Sequence, residues 1–196
     1  QHDRGKWAES EDLLRQALML DPNDPDTLDL FGRSMGYVGR LKESLQLREQ
    51  LHKLEPFIPN FNLATAGIMM ASGQDQAAAQ MLATVPADAY QGSRRNVYLA
   101  VIQARAGRFA EAADILLSTP PQTQMSRQSI EEAAKLLRSA PGKVKSPPGL
   151  EGELSYVYAY IGAPERVMEF PELLYDLGRL TMVDYWAAEY ALARKT

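Results

Sequence analysis

Gly5-Lys6-Trp7-Ala8-Glu9-Ser10, running on to Ala17-Leu18-Met19-Leu20-Asp21-Pro22, is the stretch that decides the fold. It holds a glycine, a large apolar residue two places on, a small residue five places on, and an apolar-rich run stopped by a proline. The arrangement returns every 34 residues. Gly5, Gly39, Gly73 and Gly107 are in phase, followed two places on by Trp7, Leu41, Asp75 and Phe109 and five places on by Ser10, Ser44, Ala78 and Ala112. Pro22 and Pro56 share the same spacing, as do Pro86 and Pro120. Self-similarity at this period means one supersecondary unit used repeatedly. The physical chemistry of each position agrees. Proline lacks an amide hydrogen and clashes with the preceding turn, so it ends a helix. A glycine between helices can take the left-handed cap conformation. Small residues let two helices approach closely. A lone hairpin leaves an apolar face that only the next can cover, so such units stack.

Period and punctuation together resemble the tetratricopeptide repeat (TPR). The resemblance covers residues 5–120 of the 196. It implies an all-α, right-handed superhelical solenoid of antiparallel helix pairs. On that pattern 5–22 is a partial repeat, and full repeats run over about 25–56, 59–86 and 93–120, with Gly32, Ala66 and Ala100 at the small position of each first helix. Repeat two departs from the family. Asn62 and Thr65 stand where large apolar residues are preferred, Asp75 replaces an aromatic, and the second helix is short. This repeat is expected to be looser than its neighbours.

After Pro120-Pro121 the phase is lost, and residues 121–196 read as a divergent helical extension packed on the same solenoid. Ser129-Ile130-Glu131-Glu132 has the form of a capping box opening a helix at Ala133. Ala140-Pro141-Gly142 through Ser146-Pro147-Pro148-Gly149 cannot be regular structure and is the best candidate for a hinge or exposed loop. Tyr156, Tyr158 and Tyr160 alternate as in a strand. A lone strand would have no sheet to join, however, and Gly162-Ala163-Pro164-Glu165-Arg166 reads as a helix–turn–helix junction. The three tyrosines are therefore expected in a helical core. Two further helices are expected over about 164–177 and 182–194, the first kinked at Pro171.

Composition narrows function by exclusion. A net charge of −4 gives no reason to expect nucleic acid or an anionic membrane as partner, since both usually require a strongly basic face. With no cysteine there are no disulfides and no thiolate metal site. No stretch approaches the length of a membrane-spanning helix, and a cytoplasmic location is expected. Gln1 in place of methionine reads as a piece of a longer or processed chain. His2 and His52 have no partners at metal-ligand spacing, and Asp24, Asp26, Asp29 and Glu131-Glu132 suit helix starts, where the macrodipole favours anions. No nucleophile elbow or phosphate loop is present. The expectation is no enzyme, no cofactor and no metal.

What the TPR resemblance implies is a concave groove lined by the first helices. Repeat one would contribute Asp29, Arg33 and Tyr37; repeat two Leu63 and Met70; repeat three Arg94, Val97, Val101 and Arg105. The family's carboxylate clamp is absent, because Asp29, Arg33 and Ala64 occupy its lysine and asparagine positions. The implied ligand is then an apolar peptide or amphipathic helix of another protein, with Met69, Met70 and Met81 making the surface adaptable. One alternative leaves the same residues packed against the chain's own C-terminal helices. The closing segment 156–196 is similar to C-terminal TPR regions of bacterial signalling proteins that begin with an adenylyl cyclase or winged-helix domain. That resemblance implies a regulatory or assembly module. Uncapped helix ends also allow a homodimer.

Overall fold

The computed structural model describes residues 7–88, 92–120, 125–150 and 152–169, and among them all regular structure is helical. The described residues fall into two compact units, one up to Thr84 and one from Val85. This break lies within the span expected to hold the repeats. No helix among the described residues is long and apolar enough to cross a membrane.

The first unit holds α1 (Trp7–Leu20), α2 (Pro25–Tyr37), α3 (Leu41–Leu54), α4 (Pro59–Ala71) and α5 (Asp75–Ala83). α2 and α3 form an antiparallel hairpin: Ser44 Oγ donates to Gly32 O at 2.6 Å while Arg48, one turn further along α3, reaches back to Asp29. The turn between them is closed by Gly39 at φ 77°, with the Arg40 amide donating to Met35 O and the Gly39 amide to Gly36 O. Gly73, at φ 75°, closes α4–α5 through the same pair of bonds, from Gln74 to Met69 and from Gly73 to Met70. A side chain at either glycine would meet nothing, so the requirement is purely the left-handed backbone. Asp24 caps α2 by accepting from the Thr27 amide at 2.8 Å, and the Thr27 hydroxyl together with that amide holds its carboxyl below the usual range. Pro25 and Pro59 occupy first-turn positions, where a missing amide hydrogen costs nothing. Leu14, Phe31 and Met35 form a small core between α1 and α2, with Leu18 and Leu47 against it.

The second unit holds α6 (Gly92–Arg105), α7 (Phe109–Leu117), α8 (Arg127–Ser139) and two 3-10 segments, Gly152–Tyr160 and Pro164–Met168. Gly107, at φ 76°, closes α6–α7 with the bonds seen in the other two hairpins. α8 begins earlier than its capping-box signature suggests. Its cap is Ser126, whose hydroxyl accepts from the Ser129 amide, and Glu131 and Glu132 are engaged instead by Arg127 and Gln128 one turn back. The tyrosine run is a 3-10 segment with Tyr156 and Tyr158 fully buried. Tyr160 packs on Phe109 and Tyr156 at centroid distances of 5.5 and 6.5 Å. The loop before it is tied down: Tyr158 Oη donates to Pro148 O and accepts from the Leu150 amide, and Arg166, stacked over the Tyr158 ring, donates to Pro147 O. The helices expected over 164–177 and 182–194, and the kink at Pro171, lie largely or wholly outside the described residues; what is described of the first is the short 3-10 turn at Pro164–Met168.

Candidate functional site

In the first unit the predicted groove residues split by burial. Leu63 and Met70 of α4 are fully buried. Asp29 of α2 is buried too, and its carboxylate is saturated: Oδ1 accepts from Arg48 Nη1 at 2.6 Å and Oδ2 pairs with Arg33 Nη2 at 2.7 Å. Arg48 Nη2 also donates to Asp29 O at 3.1 Å. Arg33 and Tyr37 remain half-buried.

Arg48 is the residue that the sequence reading missed. Its side chain is 0% exposed, the largest fully buried side chain among the described residues. Burial pulls its pKa down while Asp29 opposes the shift; guanidinium stays protonated in proteins. Its Nε has no hydrogen-bond partner and lies against Gly32, where an added Cβ would stand 3.0 Å away. The repeat phase could have revealed the pair. Leu14, Arg48, Leu82 and Leu116 are in register at 34 residues, as are Asp29, Leu63 and Val97, and Gly32, Ala66 and Ala100. Repeat one alone places an ion pair and a glycine where the others hold two aliphatics and an alanine.

The polar substitutions of repeat two are also integrated. Asn62 is buried, donates to Pro56 O at 2.8 Å and to Thr84 Oγ1 at 2.9 Å, and accepts from His52 Nδ1 at 3.1 Å, which sets that histidine's tautomer. Thr65 Oγ1 donates to Phe61 O. Neither side chain therefore lacks a hydrogen-bond partner in the core of the repeat. In phase with Asn62, Asn96 of the second unit donates to Thr119 Oγ1 at 3.2 Å and to Ser118 Oγ at 3.4 Å, and Ser118 is in phase with Thr84.

Also in the second unit, Val97 and Val101 are fully buried, and Arg105 is half-buried. Arg94 Nε pairs with Glu153 Oε1 at 2.6 Å. Glu153 is buried, its Oε2 has no partner, and desolvation raises its pKa against the opposing pull of Arg94. Across both units, four of the predicted apolar contacts are thus core, while Leu30 of α2 is exposed and Phe61, Ile68 and Met69 of α4 and Leu99 of α6 are half-buried. No cluster of three His, Cys, Asp or Glu side chains that could hold a metal occurs among the described residues. No family model matches this chain, and no curated protein does.

Proposed function

We propose that this chain is a TPR-like, superhelical stack of helical hairpins that holds a segment of another polypeptide against its first helices and performs no chemistry of its own. One observation supports this above the rest. Three hairpins, closed by Gly39, Gly73 and Gly107 at φ 75–77°, recur at one period with the same turn hydrogen bonds. Repeated hairpins are an architecture for building extended binding surfaces. The burial pattern alters which residues carry the contact. Leu63, Met70, Val97 and Val101 support the helices from beneath, while Arg33, Tyr37, Asn60 and Ala71 of the first unit are left half-buried or exposed at the surface. A ligand there would be recognised mainly by backbone-compatible small residues and polar groups, with Tyr37 as the aromatic anchor.

The test is selection of displayed random peptides on the intact protein, followed by titration of the enriched sequences. Tyr37→Ala with Ala71→Lys should weaken them at least tenfold while the helical circular dichroism is unchanged. Failure to enrich any sequence, or equal binding by the double variant, would remove this reading. Substituting Leu63 or Val101 would be uninformative, because their burial ties them to stability.

A further inference from the structure

Every exposed large hydrophobic residue among those described lies between Leu13 and Ile58. The most concentrated group lies on the α3–α4 connection, Leu54-Glu55-Pro56-Phe57-Ile58-Pro59, where Phe57 is 88% exposed and Leu54 and Ile58 are exposed as well. The connection is held firmly. Pro56 O accepts from the buried Asn62, and prolines flank both apolar residues. Beside it runs the α1–α2 connection, because Gln50 of α3 donates to Pro22 O at 2.8 Å and to Asn23 Oδ1 at 3.2 Å, and Leu54 is one helical turn beyond Gln50. Leu20, 90% exposed, ends α1 just before that turn.

The repeat itself shows what these residues replace. Phe57 and Ile58 are in phase with Asn23 and Asp24. Asp24 caps α2; Ile58 stands at the same place before α4 and makes no side-chain cap bond. Repeat two has therefore surrendered a helix cap and a soluble turn residue, each favourable locally, and Phe57, 88% exposed, gains little packing within the unit in return. A local rule broken without compensation inside the chain marks a contact made outside it. The surroundings say with what. Asp21, Asp24 and Asp26 lie in or next to the α1–α2 connection and Glu55 in the α3–α4 connection, and Lys53 is the one cation in 20–26 and 53–59, so four carboxylates less one ammonium give these two turns a net charge of −3.

We propose that this edge docks a cationic amphipathic helix of a partner protein, its apolar side chains meeting Leu20, Leu54, Phe57 and Ile58 and its lysines or arginines meeting the acidic rim. A second copy would set like charges against each other, and the same rim repels an anionic lipid surface.

The experiment titrates the intact protein with a synthetic helix of leucine and lysine at amphipathic spacing and with its leucine–glutamate counterpart. Wild type should bind the lysine peptide alone, more weakly as salt rises. Phe57→Asn with Ile58→Asp copies repeat one, restores a cap and adds negative charge. It should nevertheless lose about tenfold or more in affinity while keeping its fold, and Tyr37→Ala with Ala71→Lys should bind like wild type. Equal binding by the Phe57/Ile58 variant, or binding of the glutamate peptide, overturns the proposal. So does wild-type sedimentation with anionic vesicles, or a concentration-dependent mass that the Phe57/Ile58 variant abolishes; these would assign the edge to lipid or to a second copy.

Discussion

Repeats one and two solve one packing problem with opposite chemistry. Between the first and second helix of a hairpin, repeat two places Leu63 and Leu82, both buried, beside Ala66. At the same positions repeat one places Asp29 and Arg48 beside Gly32. Hydrocarbon needs only volume there, whereas an ion pair needs geometry. Both carboxylate oxygens are used, a backbone carbonyl is recruited, and the small position loses its last carbon so that the guanidinium fits. The hairpin geometry is common to both; the substitutions that permit it are coupled in threes. Burying a charged pair is rarely the more stable choice, because desolvation of both ions offsets their attraction.

That difference can be broken first from the acidic side. Asp29→Leu alone leaves Arg48 in the core with no counter-charge and should cost about 3–5 kcal/mol, read as a lower urea midpoint at unchanged slope. Copying repeat two entire, by Asp29→Leu, Gly32→Ala and Arg48→Leu together, should restore that loss and reach wild-type stability or exceed it by about 1–4 kcal/mol; a triple variant as unstable as the single would show that the ion pair is indispensable to this hairpin. Converting repeat two toward repeat one at the other polar position gives a smaller effect. Asn62→Leu, which copies the phase-equivalent Leu28, removes the donor to Pro56 O, leaves the Thr84 hydroxyl with Met81 O as its partner, and should cost about 1–3 kcal/mol, with the His52 imidazole NMR signals shifting as its partner is lost. The second unit offers a mild parallel in Arg94–Glu153. Because burial raises the folded pKa of Glu153 above its ordinary 4.5, this group favours the folded state most below that pH and progressively less as pH climbs through the raised value. Glu153→Gln should remove that slope, so wild type and variant should diverge as pH rises from 4.5, the variant being the more stable at neutrality; parallel melting profiles across that range would contradict it.

The hairpins were legible in the sequence because glycine and proline act through the backbone, independent of what surrounds them. Gly39, Gly73 and Gly107 fall at the turns their spacing predicts. Side-chain roles on the first helices were less legible. Leu63, Met70, Val97 and Val101 have the residue type for either a peptide groove or a packed interior, and periodicity fixes the face of a helix without saying what lies against it. Asp29 looked like a groove charge because its buried partner, Arg48, sits in a different helix and is seen only when the three hairpins are aligned position by position. The start of α8 was displaced for a local reason. Ser126 and Ser129 are both competent caps, and the glutamate three places after Ser129 favoured the later one, although that glutamate is engaged by Gln128. The tyrosines at 156, 158 and 160 alternate in sequence yet lie in 3-10 geometry, whose three-residue turn places them on different sides of one buried segment.

The buried pair has a further consequence for how the chain finds its own topology. A string of look-alike hairpins carries an inherent ambiguity, since α2 resembles α4 and α3 resembles α5 closely enough for partners to be exchanged during folding. Asp29 removes the ambiguity on one side: set against Leu82 of α5 it would be a bare carboxylate facing hydrocarbon, and Arg48 set against Leu63 of α4 would fare no better. Each half of the ion pair thus works as an address that only the other half can read, in addition to the short turn at Gly39 that joins α2 to α3.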